Sequence, residues 1–153
     1  EGMFIENADE PNARAIAEAI ISQRNKGIKI STTTQLQEII KEALKFIPGS
    51  NSKDAIKKSC QRCFQALRID VNDEFEVLYE FLEKLPAVLA PGGRVAILSF
   101  HSGEDRLVKK SFKHFFREGV YREVADGPIR PSAEECNTNG RARSAKLRWA
   151  IKA

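Results

Sequence analysis

Five polar side chains of four chemical kinds fall within the six residues 101–106: His101, Ser102, Glu104, Asp105 and Arg106. An imidazole donates or accepts near neutral pH, a hydroxyl does both, carboxylates accept, and a guanidinium clamps anionic oxygen. Such a set, gathered at the carboxyl end of a strand, marks a candidate ligand site. His101, Ser102, Glu104 and Asp105 are therefore the candidate catalytic residues. Part of the pattern has a plainer cause. Ser102 suits a helix N-cap, and Glu104 and Asp105 suit the positive end of a helix dipole. That cause leaves His101 and Arg106 unexplained. No metal centre is expected. Cys60-Gln61-Arg62-Cys63 offers two thiols, but the remaining donors, Cys136, His101 and His114, are far away in sequence. The pair lies inside a helical pattern rather than at a helix start after a strand, so it reads as ordinary thiols.

The elements around the loop must position these groups. Pro91-Gly92-Gly93 turns into the apolar run Val95 to Phe100, broken only by Ser99. A run without alternation predicts a strand covered on both faces, and open α/β sheets place ligands outside the carboxyl ends of such strands. Upstream the periodicity is helical. Asp9 or Asn7 would cap a helix with Glu10 and Pro11 in its first turn, ending at Gly27. Thr34 and Gln37 fit a capping box for a second helix striped by Leu36, Ile39, Ile40, Ala43 and Leu44. Residues 54–85 are helical again, with a break expected at Ile69 to Asn72 and an end at Pro86. Beyond the loop come a helix closing at Gly119, a short strand over 120–124, and a loop over 126–140. The last segment alternates, which predicts Ala145, Leu147, Trp149 and Ile151 on a buried face and Lys146, Arg148 and Lys152 on an exposed basic one.

Two further strands, both C-terminal, are too few for a doubly covered central strand, so one edge of the 93–100 strand is left bare. The chain reads as the second part of an α/β domain preceded by a helical segment. It is expected to need an N-terminal partner half, or to pair its bare edge with another copy. No Gly-x-Gly-x-x-Gly turn of the dinucleotide-binding kind occurs.

Composition narrows the class. At 153 residues, 42% hydrophobic and 30% charged, the chain can bury a core and is not disordered by composition. A net charge of +4 and a pI near 9.0 favour an anionic partner. No apolar run has the length of a membrane span, no signal peptide is expected, and three cysteines suggest reduced thiols in an intracellular setting. Arg141, Arg143, Lys146 and Arg148 form one basic segment; Lys57, Lys58, Arg62 and Arg68 form a second basic face. Both fit a solvated surface and a phosphate-binding surface equally well.

Several segments resemble one family. Phe64-Gln65-Ala66-Leu67-Arg68-Ile69-Asp70-Val71-Asn72-Asp73-Glu74 is similar to its F-Q-A-L-R-I-x-V-N-x-E-L segment. Pro91-Gly92-Gly93-Arg94 and Ser99-Phe100-His101-Ser102-Gly103-Glu104-Asp105-Arg106-Leu107-Val108-Lys109 are similar to P-G-G-R-L and S-F-H-S-L-E-D-R-I-V-K. Asn139 to Arg148 is similar to N-P-R-A-R-S-A-K-L-R, and Glu10 to Arg14 and Thr32 to Leu36 match in order. The family is the RsmH (MraW) group of S-adenosylmethionine-dependent ribosomal RNA methyltransferases, which methylate the exocyclic amine of a cytidine in small-subunit ribosomal RNA. The resemblance covers only the second half of such a protein. It implies a helical insertion (1–60) for RNA recognition and the C-terminal part (61–153) of a class I, Rossmann-like methyltransferase sheet. It also implies that the main S-adenosylmethionine site lies outside this chain, with no cofactor-binding residue within it. Under it, the loop borders the base pocket, and Arg68, Arg106, Arg141, Arg143, Lys146 and Arg148 hold RNA. Gly103 in place of Leu is expected to loosen the loop, and Gly140 in place of Pro to make the basic segment more flexible. Cys60 and Cys63 are not typical of the family.

Three readings follow: part of a methyltransferase active only with its cofactor half, a non-catalytic RNA-binding remnant, and a fragment with neither activity. A bacterial cytoplasm and an organelle with bacterial-type ribosomes both suit the first.

Overall fold

Amphipathic helices make up the first 72 residues. The computed structural model describes residues 1–153 and divides them into two units, Glu1–Asn72 and Asp73–Ala153. The first contains α1 (Gly2–Ala8), α2 (Ala13–Asn25), α3 (Thr33–Leu44) and α4 (Lys53–Val71). Apolar residues three and four apart put one stripe of each helix inward: Phe4, Ile16, Ile40, Leu44, Cys63 and Ala66 form its core. Helix starts differ from expectation. Asp9 ends α1 in the left-handed conformation (φ 48°) and α2 begins at Ala13, because the Glu10 side chain is drawn inward instead of lying in a first helical turn. The capping box of α3 is Thr32 with Gln35, two residues earlier than Thr34 with Gln37. α4 runs unbroken through position 60, so the helical segment extends to 72. It stops where Asp70 and Asn72 flank β-branched Val71, and Asp73 turns the chain with φ 50°.

The second unit contains α5 (Glu74–Val88), β1 (Arg94–Ser99), α6 (Ser102–Arg117), β2 (Tyr121–Val124), α7 (Ala133–Thr138), a 3-10 turn (Gly140–Ser144) and β3 (Lys146–Lys152). Pro86 does not end α5: in the last turn its missing N–H removes a single helical bond, and the helix reaches Val88. Residues 126–140, expected as loop, include α7. The sheet order is β1-β3-β2 with both pairs antiparallel, and the outer edge of β1 has no strand beside it. The strand count anticipates that bare edge.

The faces of the sheet depart from expectation. Register pairs Val95 with Ala150, Ile97 with Arg148 and Ser99 with Lys146 on one face. Val95, Ile97 and Ala150 pack with Leu82, Leu85, Val108, Phe112 and Tyr121 of α5, α6 and β2. The opposite face carries Ala96 with Trp149 and Leu98 with Leu147; Ala96 is exposed and Leu98 is 53% exposed. β1 is thus covered on one face, not two. In β3 the expected faces are reversed. Arg148 is only 6% exposed and Ala150 fully buried, whereas Leu147, Trp149 and Ile151 are half-buried. A buried Arg is tolerated here because α6 brings a carboxylate to it.

Candidate functional site

Phe100 leaves β1 half exposed, and the chain turns into α6 through a set of mutually anchored side chains. His101, not Ser102, is the N-cap. Its Nδ1 accepts from the Gly103 N–H at 3.2 Å, satisfying one of the donors a helix start leaves unpaired. With Nδ1 accepting, the ring proton belongs on Nε2, which lies 3.3 Å from Glu104 Oε1 but is not aligned for a hydrogen bond with it. Glu104 Oε2 accepts from the Phe100 N–H at 3.0 Å. His101 and Glu104 close the loop on itself, and Ser102, in the first turn, remains exposed. Ser99 is buried and donates to the Lys146 carbonyl at 3.3 Å.

Asp105 points the other way. Its Oδ1 accepts from Arg148 Nε at 2.7 Å, and Oδ2 accepts from Arg148 Nη2 and Lys146 Nζ, each at 3.3 Å. The hydrogen bond from Arg148, outweighing the opposing effect of burial, holds the Asp105 carboxyl below the ordinary carboxylate range. The four candidate catalytic residues therefore divide into a His101–Glu104 strut, an exposed Ser102, and an Asp105 that ties α6 to β3. Lys146 and Arg148, expected on an open basic face, are instead the partners of Asp105.

Phe75 in the first turn of α5 lies against this strut, its ring centroid 5.6 Å from that of His101. At Gly103 the Phe75 ring occupies the space a side chain would take. Glu74, His101 and Glu104 place potential ligand atoms within 4.8 Å of one another. A metal on Nε2 needs a lone pair there and an outward-donating Nδ1–H, whereas Nδ1 here faces the Gly103 N–H.

The basic residues lie in separate places. Arg141 and Arg143 are exposed on the 3-10 turn that Asn139 caps, and Arg106 is exposed on α6. In the first unit, Arg68 is exposed and lines a groove of about 1200 Å³ between α3 and α4 with Lys41, Lys45, Lys53, Lys57 and Phe64. Lys41 and Lys45 pair with Glu38 and Glu42. The sequence singles out Lys57 and Arg68 but misses the other groove lysines, which only the α3–α4 packing aligns with them. Arg62, assigned to that basic face, instead reaches Glu10. The thiols are free. Burial pushes Cys63 up to about 12 and also raises Cys60, which fits inert structural thiols. No helix is long and apolar enough to cross a membrane.

Comparison with known proteins fits this arrangement. The MraW methylase family matches residues 1–153. The chain is 82% identical over 153 residues to "Ribosomal RNA small subunit methyltransferase H 2" of Alkaliphilus metalliredigens, covering all of this chain and 44% of that protein. It is 65% identical over 153 residues to "Ribosomal RNA small subunit methyltransferase H 1" of Lachnoclostridium phytofermentans, covering 100% and 42% of the two chains. It is 43% identical over 152 residues to "Ribosomal RNA small subunit methyltransferase H" of Elusimicrobium minutum, covering 99% and 49%. The chain thus spans less than half the length of these relatives, and its loop, its helices and its final strand are those of a member of the MraW methylase family.

Proposed function

We propose that the chain is the acceptor-side part of an S-adenosylmethionine-dependent methyltransferase that modifies the exocyclic amine of a cytidine in small-subunit ribosomal RNA, and that alone it is inactive. The observation that carries the reading is the unfinished sheet. β1 delivers the polar loop, yet its outer edge is unpaired and its Ala96–Leu98 face open. This supports a class I sheet whose remaining strands lie in the part of the protein that the chain, at 44% of a relative's length, does not span.

The state of the carboxylates at the end of β1 supports a methyl-donor site outside this chain. The donor's ribose hydroxyls and ammonium group call for available carboxylates, and those at the end of β1 are engaged: Glu104 with Phe100 N–H and His101, Asp105 with Arg148 and Lys146. The chemistry open to these residues is on the acceptor side. A cytosine amine shares its lone pair with the ring, so a site gains by accepting hydrogen bonds from that amine as it becomes nucleophilic. The base must also leave its stack to be reached. Ser102, exposed at the loop, is the group best placed to meet it. His101 and Glu104 hold the loop's shape, and Arg106, Arg141 and Arg143 hold phosphates.

In the first unit, the α3–α4 groove is the proposed RNA surface. Lys53 and Lys57 offer charge and Phe64 an apolar wall. Titrating the chain with a fragment of small-subunit ribosomal RNA tests this. Affinity is expected to fall steeply with salt, by about 0.7 in the log–log slope per phosphate contact. The Lys53→Glu/Lys57→Glu variant is expected to flatten that slope by roughly two contacts. A slope unchanged by the double reversal would contradict the assignment.

A further inference from the structure

We propose that Phe75 and Gly103 form a size-matched positioning pair that sets where the His101 ring, and with it the acceptor-side loop, sits. This deepens the function proposed above and rests on it for its catalytic consequence.

Gly103 is the second residue of α6 and its backbone is not left-handed, so conformation does not call for glycine there. Helix propensity does not favour it either. Space accounts for it. A Cβ at position 103 would lie 2.5 Å from Phe75 Cζ, 3.0 Å from Phe75 Cε1 and 3.1 Å from His101 Cε1. Carbon atoms in contact normally stand about 3.5–4.0 Å apart. The Phe75 ring therefore fills the volume that any other residue at 103 would claim.

Gly103 also supplies the N–H that His101 Nδ1 accepts at 3.2 Å. The imidazole is thus confined by a hydrogen bond from Gly103, by the Phe75 ring at 5.6 Å and 48°, and by Glu104 Oε1 at 3.3 Å. Glu104 passes that placement to the Phe100 amide at the end of β1. Phe75 acts on the loop through His101 and is a positioning residue, and its size is coupled to the absence of a side chain at 103.

The test is a double-mutant cycle on the 153-residue chain, using Phe75→Leu, Gly103→Ala and both together. The readouts are the nitrogen resonances of the His101 imidazole, which distinguish the Nε2–H tautomer, and the thermal midpoint. Each single variant is expected to shift the imidazole away from a pure Nε2–H form and to lower the midpoint, Phe75→Leu by opening a gap and Gly103→Ala by displacing the ring. The double variant, in which a shorter side chain makes room for the methyl, is expected to recover most of both. If Gly103→Ala alone does not fold, folding of the double variant is itself the rescue. Additive losses, or a His101 signal indifferent to either single change, would overturn the pair.

The same variants in this chain joined to the remainder of its Alkaliphilus relative are expected to lower kcat by up to about a hundredfold, with little change in KM, and to be rescued together. Coupling seen in the imidazole signal without any effect on kcat would leave the pair standing and overturn instead the acceptor-side reading on which its catalytic consequence rests.

Discussion

Asp105→Ala is expected to destabilise the second unit by about 3–5 kcal/mol, the usual loss when one member of a buried ion pair is removed. Arg148 is the reason. Its side chain is 8% exposed and its Nε and Nη2 donate to the two Asp105 oxygens. Without Asp105 the guanidinium remains in the interior beside Ala150 and Ile97 with its charge uncompensated. Asp105→Leu combined with Arg148→Met is expected to recover most of the loss, because an apolar pair of similar volume is often as stable as a buried salt bridge. Denaturant midpoints of the parent and these two variants check this, and equal losses in the single and double variants would contradict it. The pair also sets an acid limit. Because the folded-state pKa of Asp105 is depressed, its contribution is fully present above the ordinary carboxylate range and is lost as pH falls through the lower folded value. Stability of the Asp105→Asn variant is expected to fall less steeply on that acid side than stability of the parent.

Glu10→Ala is expected to cost the first unit about 1.5–3 kcal/mol, the range for hydrogen bonds to a charged group. The Glu10 carboxylate is fully buried. Oε1 accepts from Ser59 Oγ and from Asn12 N, each at 3.0 Å, and Oε2 from Arg62 at 3.4 Å. It thereby joins the start of α2 to the middle of α4. Removing it strands the buried Ser59 hydroxyl, whereas Arg62, 38% exposed, can turn to water. The loss therefore falls below that for Asp105. Amide exchange over 1–72 measures it: protection is expected to drop at Ser59 to Ala66 and at Ala13 to Ile16. Unchanged protection there would show that Glu10 holds nothing together.

The stripes of α3 and α4, the break near Asn72 and the unpaired edge of β1 are legible in the sequence, since each follows from periodicity, turn formers or a strand count. Which face of β3 is covered is not. Alternation gives the period of a strand but not its orientation, and the charge that lets Arg148 turn inward belongs to Asp105, 43 residues earlier. Glu10 is hidden for the same reason, its main partners lying 49 and 52 residues away. At the loop, local propensity favours Ser102 as the cap, whereas the structure uses His101, whose Nδ1 accepts from the Gly103 N–H. Gly103 reads as slack in the sequence, because the Phe75 ring that takes up its space belongs to a different helix. Short elements such as α1 and α7 offer too few turns for a periodic signal.

Under the proposed function, this chain supplies the acceptor side of a ribosomal RNA methyltransferase and is not sufficient for the reaction. The most direct measurement joins the chain to the remainder of the Alkaliphilus protein, replacing the 44% it matches. It then follows transfer of labelled methyl from S-adenosylmethionine to small-subunit ribosomal RNA. The joined protein is expected to methylate the exocyclic amine of one cytidine, and the isolated chain neither to bind the donor nor to transfer methyl. A joined protein that folds and binds both donor and RNA yet leaves every cytidine unmodified, or an isolated chain that transfers methyl unaided, would contradict it.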